Sequence, residues 1–170
     1  YDRQVLPGLA TKLIERFGWE ELEAQVEEVR SQGLPGVVFY SAAGLEKAWE
    51  LVGGRSFPYW ALVPTMPWKS SDHPAAPTGV AARPGDSGIV LGWDPVEGNG
   101  VSYVVYRSTG AVIDPSDVFS IAAVTGRGAT SCVVPNTLPG DLIAVAAVDR
   151  LGSEGPLSVP LRISSPASSR

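Results

Sequence analysis

The sequence changes its pattern near Trp68, and this change limits the folds that the chain can adopt. Before Trp68, apolar residues recur at helical spacing between short apolar runs, whereas after Pro74 short alternating runs lie between turn residues. The first pattern is typical of α/β folds and the second of all-β domains. We therefore predict β/α units over residues 1–68, a linker over 69–76, a β-sandwich over 77–164 and a flexible tail over 165–170.

Composition excludes several classes of function. A chain of 170 residues with 44% hydrophobic content and a net charge of −5 is globular and offers no basic surface to nucleic acid. Its one cysteine, Cys132, and its one histidine, His73, cannot form an internal disulfide or a zinc site. We predict no metal, no cofactor and no nucleic-acid partner.

The chain contains no recognisable membrane or targeting segment. No apolar run reaches the length of about 18 residues that a transmembrane helix needs, and the chain does not begin with a signal segment. It starts at Tyr1, and its only methionine is Met66. We therefore expect no transmembrane segment here, and we expect the chain to be a fragment or a processed product.

The first part contains two predicted β/α units. Residues 5–11 predict a strand, and residues 37–40 predict a parallel strand that is buried on both faces. Apolar residues at helical spacing predict a helix that ends near Gly33, with Trp19, Leu22, Val26 and Val29 on one face. Ser41 is expected to cap a second helix with an apolar face of Leu45, Ala48, Trp49 and Val52. Two such units cannot close a parallel sheet, so we expect the remaining strands to precede Tyr1.

Two stretches of this first part carry a family resemblance. Residues 36–41 read Gly-Val-Val-Phe-Tyr-Ser, and residues 57–68 read Phe-Pro-Tyr-Trp-Ala-Leu-Val-Pro-Thr-Met-Pro-Trp. In this order they resemble the end of the barrel in the glycosyl hydrolase-like 10 family, over roughly residues 3–68. The resemblance implies an extracytoplasmic, bacterial cell-envelope protein with a TIM-like barrel that acts on glycan strands such as those of peptidoglycan. Glycoside hydrolysis needs two carboxylates, which would lie on earlier barrel strands, so we assign no catalytic residue to this chain.

Five residues are candidates for lining a substrate site. By the barrel rule, Thr11, Tyr40 and Ser41 follow strands at the edge where active sites form. For Tyr40 a core position is an equal alternative, and for Ser41 a helix cap is the stronger one. Trp60 and Trp68 lie in a proline-rich stretch, where packing and contact with a sugar ring are both open. Trp19 and Trp49 are assigned to packing, because they fall on apolar helix faces.

The second part resembles a complete fibronectin type III domain. The resemblance rests on residues 88–95, Gly-Ile-Val-Leu-Gly-Trp-Asp-Pro, and residues 101–108, Val-Ser-Tyr-Val-Val-Tyr-Arg-Ser. It implies a sandwich in which Trp93 and Tyr103 are core residues. Leu142 and Ile143 stand at the corner where this family usually has a tyrosine, so we expect packing to replace the usual hydrogen bond. Such modules are spacers or docking units, and we expect no catalytic role.

Two hypotheses of different classes remain. The first is the C-terminal portion of an envelope glycoside hydrolase, which contacts polysaccharide or peptidoglycan through the parent protein and self-associates through unpaired barrel elements. The second is a stand-alone, non-catalytic binding or scaffold protein with a small α/β layer and a sandwich. A third hypothesis, that this chain is itself an enzyme, would need paired acids, whereas the glutamates before Trp68 are assigned to solvated helix faces.

Overall fold

A computed structural model describes residues 4–46 and 49–164 of the chain. Ala48 and the predicted flexible tail, residues 165–170, lie outside the described residues. The chain divides into two compact units, an N-terminal unit, Tyr1–Pro58, and a C-terminal unit, Tyr59–Arg170. The division comes earlier than the predicted linker, because residues 59–68 belong with the C-terminal unit.

The N-terminal unit combines one small parallel sheet with short helices. Its strands are β1, Gly8–Ala10, and β2, Val38–Tyr40, which pair in register from Gly8 with Val38 to Ala10 with Tyr40. Its helices are α1, Ile14–Phe17, α2, Trp19–Ser31, α3, Ala42–Leu45, and α4, Trp49–Leu51, with a 3-10 turn at Thr11–Leu13 and a π-helical turn at Val52–Ser56. The order strand, helix, strand, helix is the predicted one.

Helix α2 follows from its apolar spacing. The predicted residues Trp19, Leu22, Val26 and Val29 are all buried, and the first three pack against Leu9, Leu45 and Val52. The helix ends as predicted at Gly33, where φ is +67° and the backbone N–H donates to the carbonyl of Arg30 over 2.9 Å. A side chain with a Cβ rarely adopts this φ, so glycine suits the stop.

The prediction that strand β2 is buried on both faces is wrong for this chain. Phe39 packs on the helical side of the sheet, against the cluster that contains Leu9 and Trp19. Val38 and Tyr40 point to the other side, because side chains alternate along a strand, and they are 48% and 55% exposed. Within the N-terminal unit, no further described element covers that side.

The prediction that Trp49 packs on an apolar helix face is also wrong. Trp49 is 64% exposed, whereas Val52 in the same segment is buried. The α-helical segment α4 is only three residues long and continues as a π-helical turn, which changes the angular step between residues. Trp49 and Val52 therefore do not share the face that a regular helix would give them.

The C-terminal unit contains two antiparallel sheets. One has the order β3-β4-β7, from Ala81–Gly85, Gly88–Gly92 and Ser131–Val134. The other has the order β6-β5-β8-β9, from Ile121–Val124, Ser102–Ser108, Leu142–Val148 and Leu161–Arg162. A 3-10 turn, Val118–Ser120, precedes β6. Leu91 and Val134 of the first sheet share one hydrophobic core with Tyr103, Val105 and Val145 of the second.

The predicted core residues of this unit are confirmed. Trp93 is 6% exposed and Tyr103 is 1% exposed, and their ring centroids lie 5.2 Å apart. The Tyr103 hydroxyl accepts a hydrogen bond from the backbone N–H of Val96 over 2.8 Å, so the buried phenol oxygen is satisfied. At the corner, Leu142 and Ile143 are both buried, and each packs in a hydrophobic cluster.

Strand β8 is buried along its whole length because both faces of its sheet are covered. The inner face meets the other sheet, and the outer face carries Tyr106, Ala144 and Ala146. Leu62 packs on this outer face, within the stretch 59–68, which we call the docked segment. The Met66 N–H donates to the Leu151 carbonyl over 3.0 Å, which ties the docked segment to the loop after β8.

Gly152 provides a test of this attachment. Its φ is +78°, and a Cβ placed on it would lie 2.7 Å from the Val63 carbonyl oxygen. Gly128 has a φ of +73°, and nothing lies within 4 Å of its Cβ position. We expect Gly152→Ala to lower the free energy of unfolding by about 2 to 4 kcal/mol, and Gly128→Ala by about 1 kcal/mol, since only the first adds a clash. Equal losses in urea denaturation would contradict the attachment.

Candidate functional site

The ends of the two parallel strands meet at one edge of the N-terminal sheet. Thr11 follows β1, and Tyr40 and Ser41 end and follow β2. The Thr11 Oγ1 donates a hydrogen bond to the Ser41 carbonyl oxygen over 2.6 Å. The peptide bond between Tyr40 and Ser41 is cis. The structure thus brings three of the five predicted site residues together.

Thr11 is the buried residue of this edge. Its side chain is fully buried, and a Cβ placed on Gly44 would collide with its hydroxyl oxygen. Gly44 lies in the first turn of α3, so this helix approaches Thr11 as closely as a glycine backbone allows. The hydroxyl of Thr11 therefore fixes the Ser41 backbone, and the Thr11 side chain has no exposed surface of its own.

Tyr40 and Ser41 form the exposed part of the edge. The Tyr40 ring lies beside Gly8 of the neighbouring strand, with two ring carbons 3.8 Å from the Cβ position of that glycine. Ser41 occupies the position before α3, but its side chain makes no capping hydrogen bond, so the prediction that it caps this helix is wrong. Its carbonyl instead accepts the Gly44 N–H over 3.2 Å and the Thr11 hydroxyl. The local hydrogen bonds therefore involve the Ser41 backbone, and the Ser41 hydroxyl stays exposed at the surface.

Trp60 and Trp68 belong to the C-terminal unit. They are 57% and 39% exposed, so neither ring is a core residue of that unit. Tyr59, next to Trp60, is also exposed and meets Phe119 edge to face with ring centroids 4.8 Å apart. The five predicted residues therefore divide into a set of three and a set of two, each on its own unit.

The acids of α2 lie on the helix surface, as predicted. Glu21 accepts from Gln25 over 2.9 Å, Glu28 accepts from Gln32 over 2.7 Å, and Glu27 pairs with Arg30 over 2.5 Å. None of these contacts reaches Thr11, Tyr40 or Ser41. Within residues 4–46 and 49–164, no group of three His, Cys, Asp or Glu side chains could hold a metal ion. These side-chain contacts keep the acids on the surface of α2.

Sequence reasoning missed a polar pair on the C-terminal unit. The Tyr106 hydroxyl donates to the Glu154 carboxylate over 2.8 Å, and the Tyr106 ring is fully buried. Burial raises the pKa of both groups, and the hydrogen bond from Tyr106 opposes the increase at Glu154. The residues are far apart in sequence, and Tyr106 reads as an ordinary strand residue, so no local pattern signals their contact.

Asp149 stabilises the turn after β8 through hydrogen bonds to backbone N–H groups. Its Oδ1 atom accepts from the Leu151 N–H and the Ser153 N–H, each over 2.8 Å. These bonds shape the turn after β8, and that turn carries the Leu151 carbonyl to which Met66 donates.

None of the helices in the described ranges has the length and apolar character that crossing a bilayer requires.

No model of a known protein family matches this chain, and no curated protein matches it in sequence. Parts of solved structures are similar to it. The spore cortex lytic enzyme SleM of Clostridium perfringens is 22% identical over 54% of this chain and 28% of that chain, with a TM-score of 0.43. Pectate lyase PelI of Erwinia chrysanthemi is 20% identical over 51% and 28%, with a TM-score of 0.41. The FN1–FN3 domains of chicken CNTN1 are 18% identical over 55% and 33%, with a TM-score of 0.43. The similarity covers about a third or less of each of these chains.

The bond between Thr11 and Ser41 can be tested by substitution. Thr11→Val keeps the shape of the side chain and removes the donor, so that the Ser41 carbonyl loses this bond and keeps the one from the Gly44 N–H. We expect the free energy of unfolding of the N-terminal unit to fall by about 1 to 2 kcal/mol. Thr11→Ser keeps the hydroxyl, and we expect it to lose less. Denaturation followed by the helical circular dichroism signal measures both, and a greater loss in Thr11→Ser would contradict the account.

The bond between Tyr106 and Glu154 predicts a pH dependence. The raised pKa of Glu154 means that the protonated carboxyl favours the folded state at acid pH, and that this contribution is lost as pH rises through the folded pKa. Tyr106→Phe removes the donor that lowers this pKa, so we expect the pKa of Glu154 to rise further. We expect a loss of about 1 kcal/mol at neutral pH, and a smaller loss at acid pH.

Urea denaturation at both pH values and an NMR titration of the Glu154 carboxyl would measure these effects. Tyr59→Phe is the matched control, because Tyr59 is 58% exposed and keeps its ring contact with Phe119. A fall in the pKa of Glu154 in Tyr106→Phe would refute the assigned role of the hydroxyl.

Proposed function

We propose that this chain is the C-terminal portion of a bacterial cell-envelope glycoside hydrolase. In this proposal, the N-terminal unit supplies the last two β/α units of a TIM-like barrel, and the C-terminal unit is a fibronectin type III module. The resemblance of residues 36–41 and 57–68 to the glycosyl hydrolase-like 10 family supports it. The catalytic carboxylates are assigned to earlier barrel strands, so this chain alone does not turn over glycan.

The main observation that supports the proposal is the uncovered side of the parallel sheet. Each strand of a (β/α)8 barrel turns one face to the outer helices and the other to the barrel interior. Leu9 and Phe39 lie on the face that meets the helices, and Val38 and Tyr40 lie on the exposed face. Further barrel strands would cover this second face. Tyr40 would then stand at the C-terminal ends of the strands, where substrates bind in this fold.

We choose the proposed substrate contacts by the exposure of their side chains. Tyr40 and Ser41 present side chains at the strand ends, and Trp60 and Trp68 present flat rings on the C-terminal unit. We assign all four to contact with polysaccharide or peptidoglycan in the parent protein. Thr11 is assigned a positioning role instead, since its buried hydroxyl holds the Ser41 backbone.

The assignment of the second module rests on its topology and core. Sheets of three and four antiparallel strands, in the orders β3-β4-β7 and β6-β5-β8-β9, agree with the fibronectin type III arrangement. Trp93 and Tyr103 pack together between them. Such a module positions or steadies an enzyme, and we propose no reaction for it.

A second candidate is a stand-alone, non-catalytic binding or scaffold protein. The observation in its favour is that the N-terminal unit has a core of its own, in which Leu9, Trp19, Leu22 and Val26 are buried together. In this reading the exposed side of the parallel sheet pairs between chains. The two candidates differ in behaviour, because a barrel fragment oligomerises and is cleaved by protease, whereas an evolved small domain is monodisperse and resistant.

The deciding experiment uses a protein extended upstream of Tyr1 by about 200 to 300 residues, the length that completes a barrel. We expect it to release reducing ends from purified peptidoglycan, while the present chain releases none. We expect Tyr40→Ala to lower kcat/KM about threefold to tenfold, as for the loss of one aromatic contact. Phe17→Ala is the matched control, since Phe17 is a 53% exposed aromatic residue of α1 and belongs to neither strand.

Two outcomes would count against the proposal. If the extended protein neither binds nor cleaves glycan, the glycoside hydrolase assignment fails. If Tyr40→Ala and Phe17→Ala have equal effects on an active extended protein, the assignment of Tyr40 to the substrate site fails, while the class of enzyme stands.

A further inference from the structure

A groove of about 790 Å³ runs along one side of the C-terminal unit. It lies between β3, the outermost strand of the three-stranded sheet, and β9, the outermost strand of the other sheet. Its volume is within the range of sites that bind small ligands and short peptides. The proposed glycan contacts do not use it, because neither Trp60 nor Trp68 lines it.

Strand β3 presents an unpaired edge to this groove. All five of its residues, Ala81–Gly85, pair with β4, and no described strand lies on its other side. In an antiparallel sheet, alternate residues of an outer strand direct their N–H and C=O groups away from the neighbouring strand. The outward-facing residues are Ala82, which offers an N–H and a C=O, and Pro84, which offers only a C=O. Such an edge is a template for one more strand.

The floor of the groove is apolar. Val80 and Ile89 contribute from the β3 side, and Leu161 and Ile163 contribute from the β9 side. All four are half-buried and pack against the inner core of the sandwich. An added strand would place every second side chain on this floor, because successive side chains of a strand alternate. Apolar residues at those positions would complete the burial of the four.

The charge of the groove favours acidic residues at the positions of such a strand that do not face the apolar floor. Arg83 and Arg162 line it and no acid does, although the chain as a whole has a net charge of −5. The Arg162 Nη1 donates to the Gly140 carbonyl over 2.8 Å, which fixes this guanidinium beside the groove. Arg83 lies on the outer face of its sheet, because its neighbour Ala82 pairs with the core residue Leu91, and with no acid in the lining it complements acidic side chains on that face of an added strand.

We propose that this groove binds an extended acidic peptide, which adds as a strand to the edge of β3. Its apolar residues alternate with Asp or Glu, so that one set meets the apolar floor and the other lies on the same sheet face as Arg83. The five residues of β3 span about 17 Å, which sets the length of the bound segment at about five to seven residues. Backbone hydrogen bonds give affinity in this mode of recognition, and the alternate side chains give specificity.

The probe is a fluorescent heptapeptide that alternates valine and glutamate, with blocked ends, measured by fluorescence polarisation on the full chain. Its control is the same peptide with lysine in place of glutamate. We expect saturable binding of the glutamate peptide only. Arg83→Glu should weaken it about tenfold, and Arg127→Glu, the same charge change at an exposed turn outside the groove, should change it less than twofold.

Peptides with methylated backbone nitrogens test the mode of binding on the unchanged chain. One peptide carries the methyl groups on its valines and the other on its glutamates. Successive N–H groups of a strand point to opposite edges, so we expect one of these peptides to lose binding and the other to keep it.

Three results would overturn the proposal. The first is no binding of the glutamate peptide, and the second is equal binding of both methylated peptides. The third is a dimer, seen in sedimentation, that Arg83→Glu dissociates, since it would assign the edge to a second copy of this chain.

Discussion

The burial of strand β8 on both faces is the constraint on which the C-terminal unit depends. One face of its sheet needs the three-stranded sheet as a partner, and the outer face needs a second cover. Leu62 of the docked segment and Leu157 of the last loop supply that cover. Without it, Tyr106, Ala144 and Ala146 would be open to water, at a cost of about 25 cal/mol for each Å² of apolar surface. The docked segment is therefore part of the fold.

The sequence predicted the elements whose packing follows from local pattern. The spacing of Leu22, Val26 and Val29 identified α2, and the period of two around Trp93 and Tyr103 identified the core of the sandwich. It did not predict the docked segment. It assigned residues 59–68 to the first part of the chain, because nothing local shows that Leu62 meets an apolar sheet face formed by strands more distant in sequence.

The candidate site was predicted in part for the same reason. The strand rule brought Thr11, Tyr40 and Ser41 to one edge, because the ends of parallel strands meet there. It could not show that Thr11 is buried under α3, or that the Ser41 carbonyl and not its hydroxyl makes the local bonds. Those details depend on the close approach allowed by Gly44, which is a property of packing.

The most direct test of the account is native-state hydrogen exchange at the Met66 amide. This N–H donates a hydrogen bond to the Leu151 carbonyl over 3.0 Å. Met66 is the only methionine, so its amide can be labelled selectively. If the docked segment is part of the sandwich, Met66 exchanges slowly, and its protection falls together with that of β8 as denaturant is added. If Met66 exchanges as fast as a free peptide while β8 stays protected, the segment is a linker and the account is wrong.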